Sequence, residues 1–173
     1  MEITTFNVER VLREFADEYV QRLKDRLIAD GRKASGKLLD SIRASIVSSG
    51  TNLKVVLEAE DYLKYVDYGR NSGKMPPKEA IENWIREKGI KPEPDKNGKL
   101  PTEKQLVYLI QRSIGELGTL KDYGYHGHGG WYTDKVLEEL YPLYSERLQE
   151  ALYMDFDITA KAMLDEIKKI IKI

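Results

Sequence analysis

The chain has 173 residues, which is enough for one domain with a sizeable core and too few for two large ones. Apolar residues make up 41% and charged residues 33%, the balance of a globular protein with a solvated surface. With 28 Lys and Arg against 29 Asp and Glu, the net charge of -1 excludes a global cationic field for gripping phosphates. The chain has no cysteine, so disulfides, thiolate nucleophiles and zinc–thiolate sites are excluded.

The first predicted element is a helix over about residues 7–30. Asn7 is a suitable N-cap, and Gly31 stands where a helix is expected to end. Apolar residues recur in this stretch at spacings of three and four, which predicts a helix with one buried face. The members of that stripe are Val8, Val11, Leu12, Phe15, Tyr19, Leu23 and Leu27.

After a basic connector over residues 31–36, the apolar period changes to two. Apolar residues alternate with other residues over 42–46 and again over 53–57, and a turn-forming cluster over 48–52 separates the two runs. This pattern predicts a β-hairpin. An isolated two-stranded hairpin is marginal in water, so we expect it to pack on the first helix and to recruit one or two further strands. Those strands would come from this chain or from a neighbouring subunit.

The middle of the chain alternates short helices with turn-rich segments. Residues 61–68 fit a short helix or a buried edge segment, and residues 69–77 are irregular because of their glycines and prolines. A helix is expected from Pro77 to Lys88, ended by Gly89, with an apolar face of Ile81, Trp84 and Ile85. A polar loop over 91–101 follows.

The last third is predicted to be helical around one glycine-rich loop. Thr102 and Gln105 have the form of a capping box at the start of a helix that turns Leu106, Leu109 and Ile110 inward. A glycine- and aromatic-rich loop covers 118–132. The final segment, about 133–173, is helical, with kinks or breaks expected at Pro142 and over 155–158.

These elements predict an α+β fold in which an N-terminal helix packs on a small antiparallel sheet, with additional helices and a long C-terminal helical region. We expect a single domain over 1–173, with its core at about 8–120 and a helical extension over about 133–173. No apolar run approaches the ~20 residues that cross a bilayer, and no basic-then-apolar segment opens the sequence. Synthesis in the cytoplasm and no membrane partner are therefore expected.

The only histidines, His126 and His128, suggest a metal site that Asp122 or Asp134 would complete. The alternative is a flexible contact loop, because glycine separates the two imidazoles and no third ligand is specified. No serine lies in a nucleophile-elbow context, and the glycines around Asn71 lack the order of a phosphate-binding loop. We therefore expect no catalytic residues, no cofactor and no metal, and we expect the protein not to be an enzyme.

Large contact side chains concentrate in two segments, one around 62–84 and one around 123–131. Tyrosine, tryptophan and arginine dominate protein interfaces, although burial in the core is an equal alternative for the first group. The interface candidates are Tyr62, Tyr65, Tyr68, Arg70, Met75, Pro76, Pro77, Trp84, Tyr123, Tyr125, His126 and Trp131.

Three segments in order resemble one protein family. Residues 34–42 (ASGKLLDSI) resemble its serine/threonine–glycine–x–leucine segment followed by serine–isoleucine. Residues 62–70 (YLKYVDYGR) resemble a segment of two aromatics, then valine, an acidic residue and glycine. Residues 103–118, with the run LIQRSIGELGT at 109–119, resemble its later helix and glycine–threonine turn. Together, over about 8–120, they resemble the tail-completion and head–tail joining (neck) proteins of tailed bacteriophages and prophages.

The resemblance implies a virion structural protein that forms a homo-oligomeric ring in the neck or tail, around the channel that double-stranded DNA traverses. Its implied partners are copies of itself and the adjacent portal, connector or tail proteins, with DNA passing through without sequence-specific binding. The resemblance supplies no catalytic residues. Two other readings stay open: a metal-dependent enzyme centred on His126 and His128, and a small intracellular regulatory binding module.

Overall fold

The computed structural model describes residues 4–32, 35–49, 52–119 and 132–171. The mixed α+β fold class is confirmed, with an N-terminal helix, a two-stranded antiparallel sheet, further helices and a long C-terminal helix. The elements in chain order are α1 (Phe6–Ala29), α2 (Lys37–Ser41), β1 (Arg43–Ser49), β2 (Asn52–Glu58), α3 (Leu63–Asp67), α4 (Lys78–Lys88), α5 (Glu103–Leu117) and α6 (Thr133–Ile171).

The chain divides into two compact units. The first unit contains Met1–Arg26, Ser41–Ala59 and Asp134–Ile173, and the second contains Leu27–Asp40 and Glu60–Thr133. The first unit therefore joins most of α1 to the hairpin and to nearly all of α6, although these segments are far apart in sequence. The prediction of a single domain stays a prediction.

In the first unit, α1 and α6 run antiparallel. Arg26 near the end of α1 pairs with Glu139 near the start of α6 at 2.7 Å. In the middle of α1, the Tyr144 hydroxyl donates to Glu18 at 2.7 Å, and the ring of Tyr144 meets the ring of Phe15 edge-on at 5.4 Å. The predicted stripe of α1 supplies this packing: most of its members are buried or half-buried.

Asp155 on α6 is buried and closes the start of α1. Its Oδ1 accepts from the backbone N–H of Asn7 at 3.0 Å and from Asn7 Nδ2 at 2.8 Å, and its Oδ2 accepts from Val8 N at 3.0 Å. The first N–H groups of a helix have no partner within the helix, and a carboxylate suits their positive end. Asn7 therefore lies inside the first turn of a helix that begins at Phe6, instead of capping it as the sequence suggested.

The predicted break over 155–158 is wrong, because α6 continues from Thr133 to Ile171 and includes Pro142. Aspartate is a weak helix former because its side chain competes for backbone N–H groups. Here the Asp155 carboxylate is occupied by α1. Thr159, one turn later, donates to the Asp155 carbonyl at 2.9 Å and accepts from Thr4 N at 3.2 Å. Contacts remote in sequence thus override the local preference.

The predicted hairpin is confirmed. β1 and β2 pair antiparallel, from Arg43 opposite Glu58 to Ser49 opposite Asn52, and the end pair is joined by an ion pair of 2.7 Å. Alternate side chains on one face are half-buried, as a period of two requires. The expected further strands are not among the described residues, where the sheet has two strands only. Within that part of the chain, both outer edges lack a strand partner.

In the second unit, α4 and α5 pack on each other. The predicted capping box is confirmed: Thr102 Oγ1 accepts from Gln105 N at 3.3 Å, and Gln105 Oε1 accepts from Thr102 N at 2.9 Å. The predicted end of α4 at Gly89 is also confirmed, with the glycine in the left-handed conformation at φ 64°.

The inward face of α5 differs from the prediction. Leu109 is 51% exposed, whereas Val107 and Gly115 are buried and Leu106 and Ile110 are half-buried. The helix is therefore turned so that positions 107, 111 and 115, four residues apart, face the protein. The short helix α2, which buries Leu38 and Leu39, was not predicted because five residues are too few to show a period.

Candidate interaction surface

The irregular segment over residues 69–77, here called the 69–77 segment, is fixed on the C-terminal end of α5. Arg70 N donates to Thr119 Oγ1 at 2.8 Å, and Thr119 N donates back to the Arg70 carbonyl at 2.8 Å. Further along, Gly73 N donates to the Gly115 carbonyl at 2.7 Å. The last of these bonds satisfies the Gly115 carbonyl, one of the carbonyls at the end of α5 that have no partner within the helix. The segment therefore has a defined path.

The inward face of α5 supports the same segment. Gln111 Nε2 donates to the carbonyl of Pro76 at 2.8 Å. Gly115 leaves room for Met75, since a Cβ at Gly115 would lie 3.0 Å from Met75 Cγ. Pro76 itself is buried, so in the protomer it is not part of the exposed surface, unlike its neighbour Pro77. The inward face of α5 is thus set by its contacts with Pro76 and Met75.

Gly118 is the position where only glycine fits. Its φ of 69° and ψ of -169° form a combination that L side chains avoid. A Cβ there would lie 2.4 Å from the Arg70 carbonyl oxygen and 2.9 Å from Ser72 N. The glycine of the glycine–threonine turn is therefore required for the close approach of the 69–77 segment to α5.

This fixed backbone leaves a set of large side chains in solvent. Tyr65 and Tyr68 are each 45% exposed, Met75 is 47% exposed and Tyr62 is 38% exposed. The half-buried Arg70 places its guanidinium 5.4 Å from the centre of the Tyr65 ring, within cation–π range. We call these five residues the aromatic surface. Their composition is that of interface centres, and their supporting backbone is already ordered.

Two further candidates are exposed on α4 or just before it. Trp84 is 40% exposed, and Pro77 precedes the first residue of the helix. The inward residue of α4 is Ile81. The three tyrosines and Trp84, for which burial in the core was the alternative, are therefore exposed in the protomer.

Tyr62 has a hydroxyl whose pKa is raised by its surroundings. Partial burial of the ring raises the pKa of its hydroxyl, and the nearby carboxylate of Glu60 raises it further. Glu60 is itself paired with Lys37 at 3.2 Å. Tyr62 stays neutral at physiological pH and presents a hydroxyl able to donate and accept.

Asp67 anchors the turn that carries Tyr65 and Tyr68 of the aromatic surface. It is buried, and its Oδ1 accepts from the backbone N–H groups of Tyr132 at 2.6 Å and Thr133 at 3.1 Å. Its Oδ2 accepts from the Thr133 hydroxyl. The acidic residue of the 62–70 motif thus caps the start of α6. Neighbouring Tyr65 and Tyr68 are consequently held on an anchored turn.

Tyr132, at the same junction, is fully buried. Burial raises the pKa of its hydroxyl, which accepts from Arg32 Nε at 3.1 Å. Neither Asp67 nor Tyr132 was singled out in the sequence. The available signal for Asp67, as for Asp155, was a lone carboxylate between large apolar residues, which is unusual unless the carboxylate is bonded.

Four interface candidates, Tyr123, Tyr125, His126 and Trp131, lie outside the described residues. His128, the second histidine of the possible metal site, lies outside them as well. Over residues 4–32, 35–49, 52–119 and 132–171, no group of three His, Asp or Glu residues is placed to hold a metal ion.

Within the same described ranges, no helix has both the length and the apolar character needed to cross a membrane.

Comparison with protein-family models, with curated protein sequences and with solved structures finds no match to this chain. The aromatic surface and the hairpin edges are therefore the structural features that bear on function.

Proposed function

We propose that this chain is a virion structural protein: a ring-forming head–tail connector or tail-completion subunit that surrounds the DNA channel between portal and tail. Its work is contact and shape, not catalysis. The observation that carries the proposal is the fixed display of Tyr65, Tyr68 and Arg70 on a segment bonded to α5. A preorganised aromatic patch loses little conformational entropy when a neighbour binds.

A ring also needs a second, different surface, because a head-to-tail interface joins two unlike patches. The hairpin supplies one. Among the described residues its outer edges have no strand partner, and Val47 and Val56 are 48% and 37% exposed. A strand or extended segment of a neighbour can add to such an edge. The aromatic surface and the hairpin belong to different compact units and differ in chemistry.

The family resemblance gains support from one contact. Two of its three segments, 62–70 and 109–119, are joined by the reciprocal hydrogen bonds of Arg70 and Thr119. Segments that were matched separately in sequence thus form one structural feature. Near-neutral net charge also suits a channel protein, because DNA must slide past it without strong counterion-release binding.

The test is assembly of the full chain, alone and with the adjacent portal and tail proteins, followed by light scattering. We expect wild-type protein to form large ring-sized species. A double variant, Tyr65→Ala with Arg70→Ala, should form no ring-sized species and should keep the mass of the unassembled subunit. The matched control is Tyr108→Ala, which removes a tyrosine of α5 that is 53% exposed and lies outside the aromatic surface. Equal assembly of all three proteins would contradict the proposal.

A further inference from the structure

The C-terminal part of α6 is an exposed apolar helix. Thr159 is its last buried residue, and every residue from 161 to 171 is exposed. Large side chains in this region have high exposed fractions, including 71% for Phe156 and 71% for Ile170. An exposed stretch of about three turns gains no stability from packing, which is the main source of helix stability in proteins. A partner that covers its apolar residues would supply that packing.

The apolar residues there follow the spacing of a coiled-coil seam. They alternate steps of three and four, which is the 3.5-residue repeat of helices that pack along their whole length. We call them the C-terminal stripe: Tyr153, Phe156, Ala160, Met163, Ile167 and Ile170. Leu164 and Ile171, which are 56% and 77% exposed, widen the stripe on one side. The partner that fits such a seam is another helix.

The exposed area is sufficient for a stable pair. Seven large exposed side chains line the seam and its widened side, if Ala160 is left out. At roughly 100 Å² of apolar surface for each, they offer about 700 Å². One partner of a standard protein interface contributes about 800 Å².

We propose that the partner is a second copy of this chain, whose C-terminal stripe packs antiparallel on the first. Antiparallel packing places Tyr153 beside Ile170 of the other copy, Phe156 beside Ile167, and Ala160 beside Met163. Each layer then joins a larger with a smaller side chain. A parallel pair in register would set Phe156 on its own equivalent and, one layer on, Ala160 on Ala160, which leaves a crowded layer next to a void.

Charge favours the same arrangement. Asp157 and Lys168 lie on the same side of the seam and near opposite ends of it. Within one copy Asp157 pairs with Lys161 and Lys168 pairs with Asp165, and antiparallel packing also brings Asp157 of each copy close to Lys168 of the other. Over 157–173 four lysines stand against three carboxylates, so the segment is close to neutral and lacks the strongly cationic composition of a helix that lies on an anionic membrane.

This contact goes beyond the proposed ring. An antiparallel pair is a closed two-fold contact, whereas a ring needs head-to-tail contacts. The aromatic surface and the C-terminal stripe share no residue. One contact can therefore be removed while the other is kept.

The first experiment is sedimentation velocity of the full chain, with a check of helix content by circular dichroism. The wild type should sediment as pairs or multiples of pairs, and Ile167→Glu should lower the mass about twofold. The matched control is Leu143→Glu, since Leu143 is 53% exposed, Ile167 is 50% exposed, and both lie on α6. A monomeric wild type, or equal masses for both variants, would overturn the proposal.

The second experiment uses the absence of cysteine from the chain. Chains carrying Tyr153→Cys and Ile170→Cys are mixed and oxidised. A disulfide between the two different chains is the expected product. Rapid crosslinking of Ile170→Cys with itself alone would show a parallel pair and overturn the arrangement.

Binding of the wild type to vesicles of phosphatidylcholine and phosphatidylglycerol, without pairing, would overturn the choice of partner. If the Tyr65→Ala, Arg70→Ala variant loses rings but keeps the crosslink, the two contacts are separate, as proposed.

Discussion

Asp155 accepts hydrogen bonds from both the backbone and the side chain of Asn7, 148 residues away in sequence. Asp67 does the same for the start of α6, through Tyr132 and Thr133. Two buried carboxylates thus cap the two longest helices of the chain from remote positions. In each case a carboxylate that is remote in sequence accepts from N–H groups at a helix start that have no partner within the helix.

Replacing Asp155 by alanine leaves the N–H groups of Asn7 and Val8 without their acceptor in a buried position. We expect Asp155→Ala to lower the free energy of unfolding by about 2 kcal/mol. The control is Glu138→Ala, which removes an exposed carboxylate of α6 paired with Lys135 at 3.3 Å and should cost about 0.5 kcal/mol or less. Urea unfolding followed by circular dichroism measures both. Equal costs would contradict the capping role.

Asp67→Ala should loosen the start of α6. We expect a loss of about 2 kcal/mol in unfolding free energy and faster hydrogen exchange at the amides of Tyr132 and Thr133. Asp61→Ala, which removes an exposed carboxylate just before α3, serves as the control. Unchanged exchange at both amides in Asp67→Ala would show that the cap is not needed.

Local patterns predicted those elements whose determinants are adjacent in sequence. The capping box of Thr102 and Gln105 and the hairpin over 43–58 were found because a few neighbouring residues specify them. The continuity of α6 through Asp155 was not, because its carboxylate is satisfied by α1. The exposed Leu109 was misplaced for a similar reason, since the face of α5 is set by Pro76 and Gly73.

The candidate site was predictable in composition but not in geometry. Tyrosine, tryptophan and arginine between residues 62 and 84 marked a candidate contact region, with burial in the core as the alternative. That the 69–77 segment is fixed on α5 depends on Gly115 and Gly118, whose lack of a side chain matters only once Met75 and Arg70 lie against them. The spacing of the C-terminal stripe is present in the sequence but was not singled out there, and its exposure required the structure.

Gly118→Ala tests whether the 69–77 segment must approach α5. The substitution adds a Cβ 2.4 Å from the Arg70 carbonyl at a backbone conformation that alanine avoids. We expect a loss of about 3 kcal/mol. Gly98→Ala separates the two causes, because Gly98 also has positive φ, at 77°, but no atom lies within 4 Å of its Cβ position. That control should cost about 1 kcal/mol. Similar costs for the two variants, measured by urea unfolding, would contradict the close approach.

The pairing of α1 and α6 should weaken in acid. The hydrogen bond from Tyr144 lowers the pKa of Glu18 below its ordinary value of 4.5, with Arg22 adding to the effect. Because the folded-state pKa is the lower one, the carboxylate contributes stability above about pH 4.5 and loses it as the pH falls through the folded-state value.

Glu18→Gln should therefore cost a few tenths of a kcal/mol at pH 7, since the carboxylate is solvent-exposed and screened. The cost should shrink between pH 7 and pH 3, because the contribution of the carboxylate is lost as the pH falls through its lowered folded-state pKa. Unfolding free energies of the two proteins at both pH values test this. A cost that grows on acidification would reverse the assigned sign.

In the proposed function, copies of this chain assemble with one another through surfaces that the fold holds in place. Negative-stain electron microscopy of the full chain, mixed with the adjacent portal and tail proteins, tests it most directly. Class averages should contain closed rings of this subunit, and the Tyr65→Ala, Arg70→Ala variant should lack them. Particles that never incorporate the wild-type chain, together with a strictly monomeric protein at all concentrations, would contradict it.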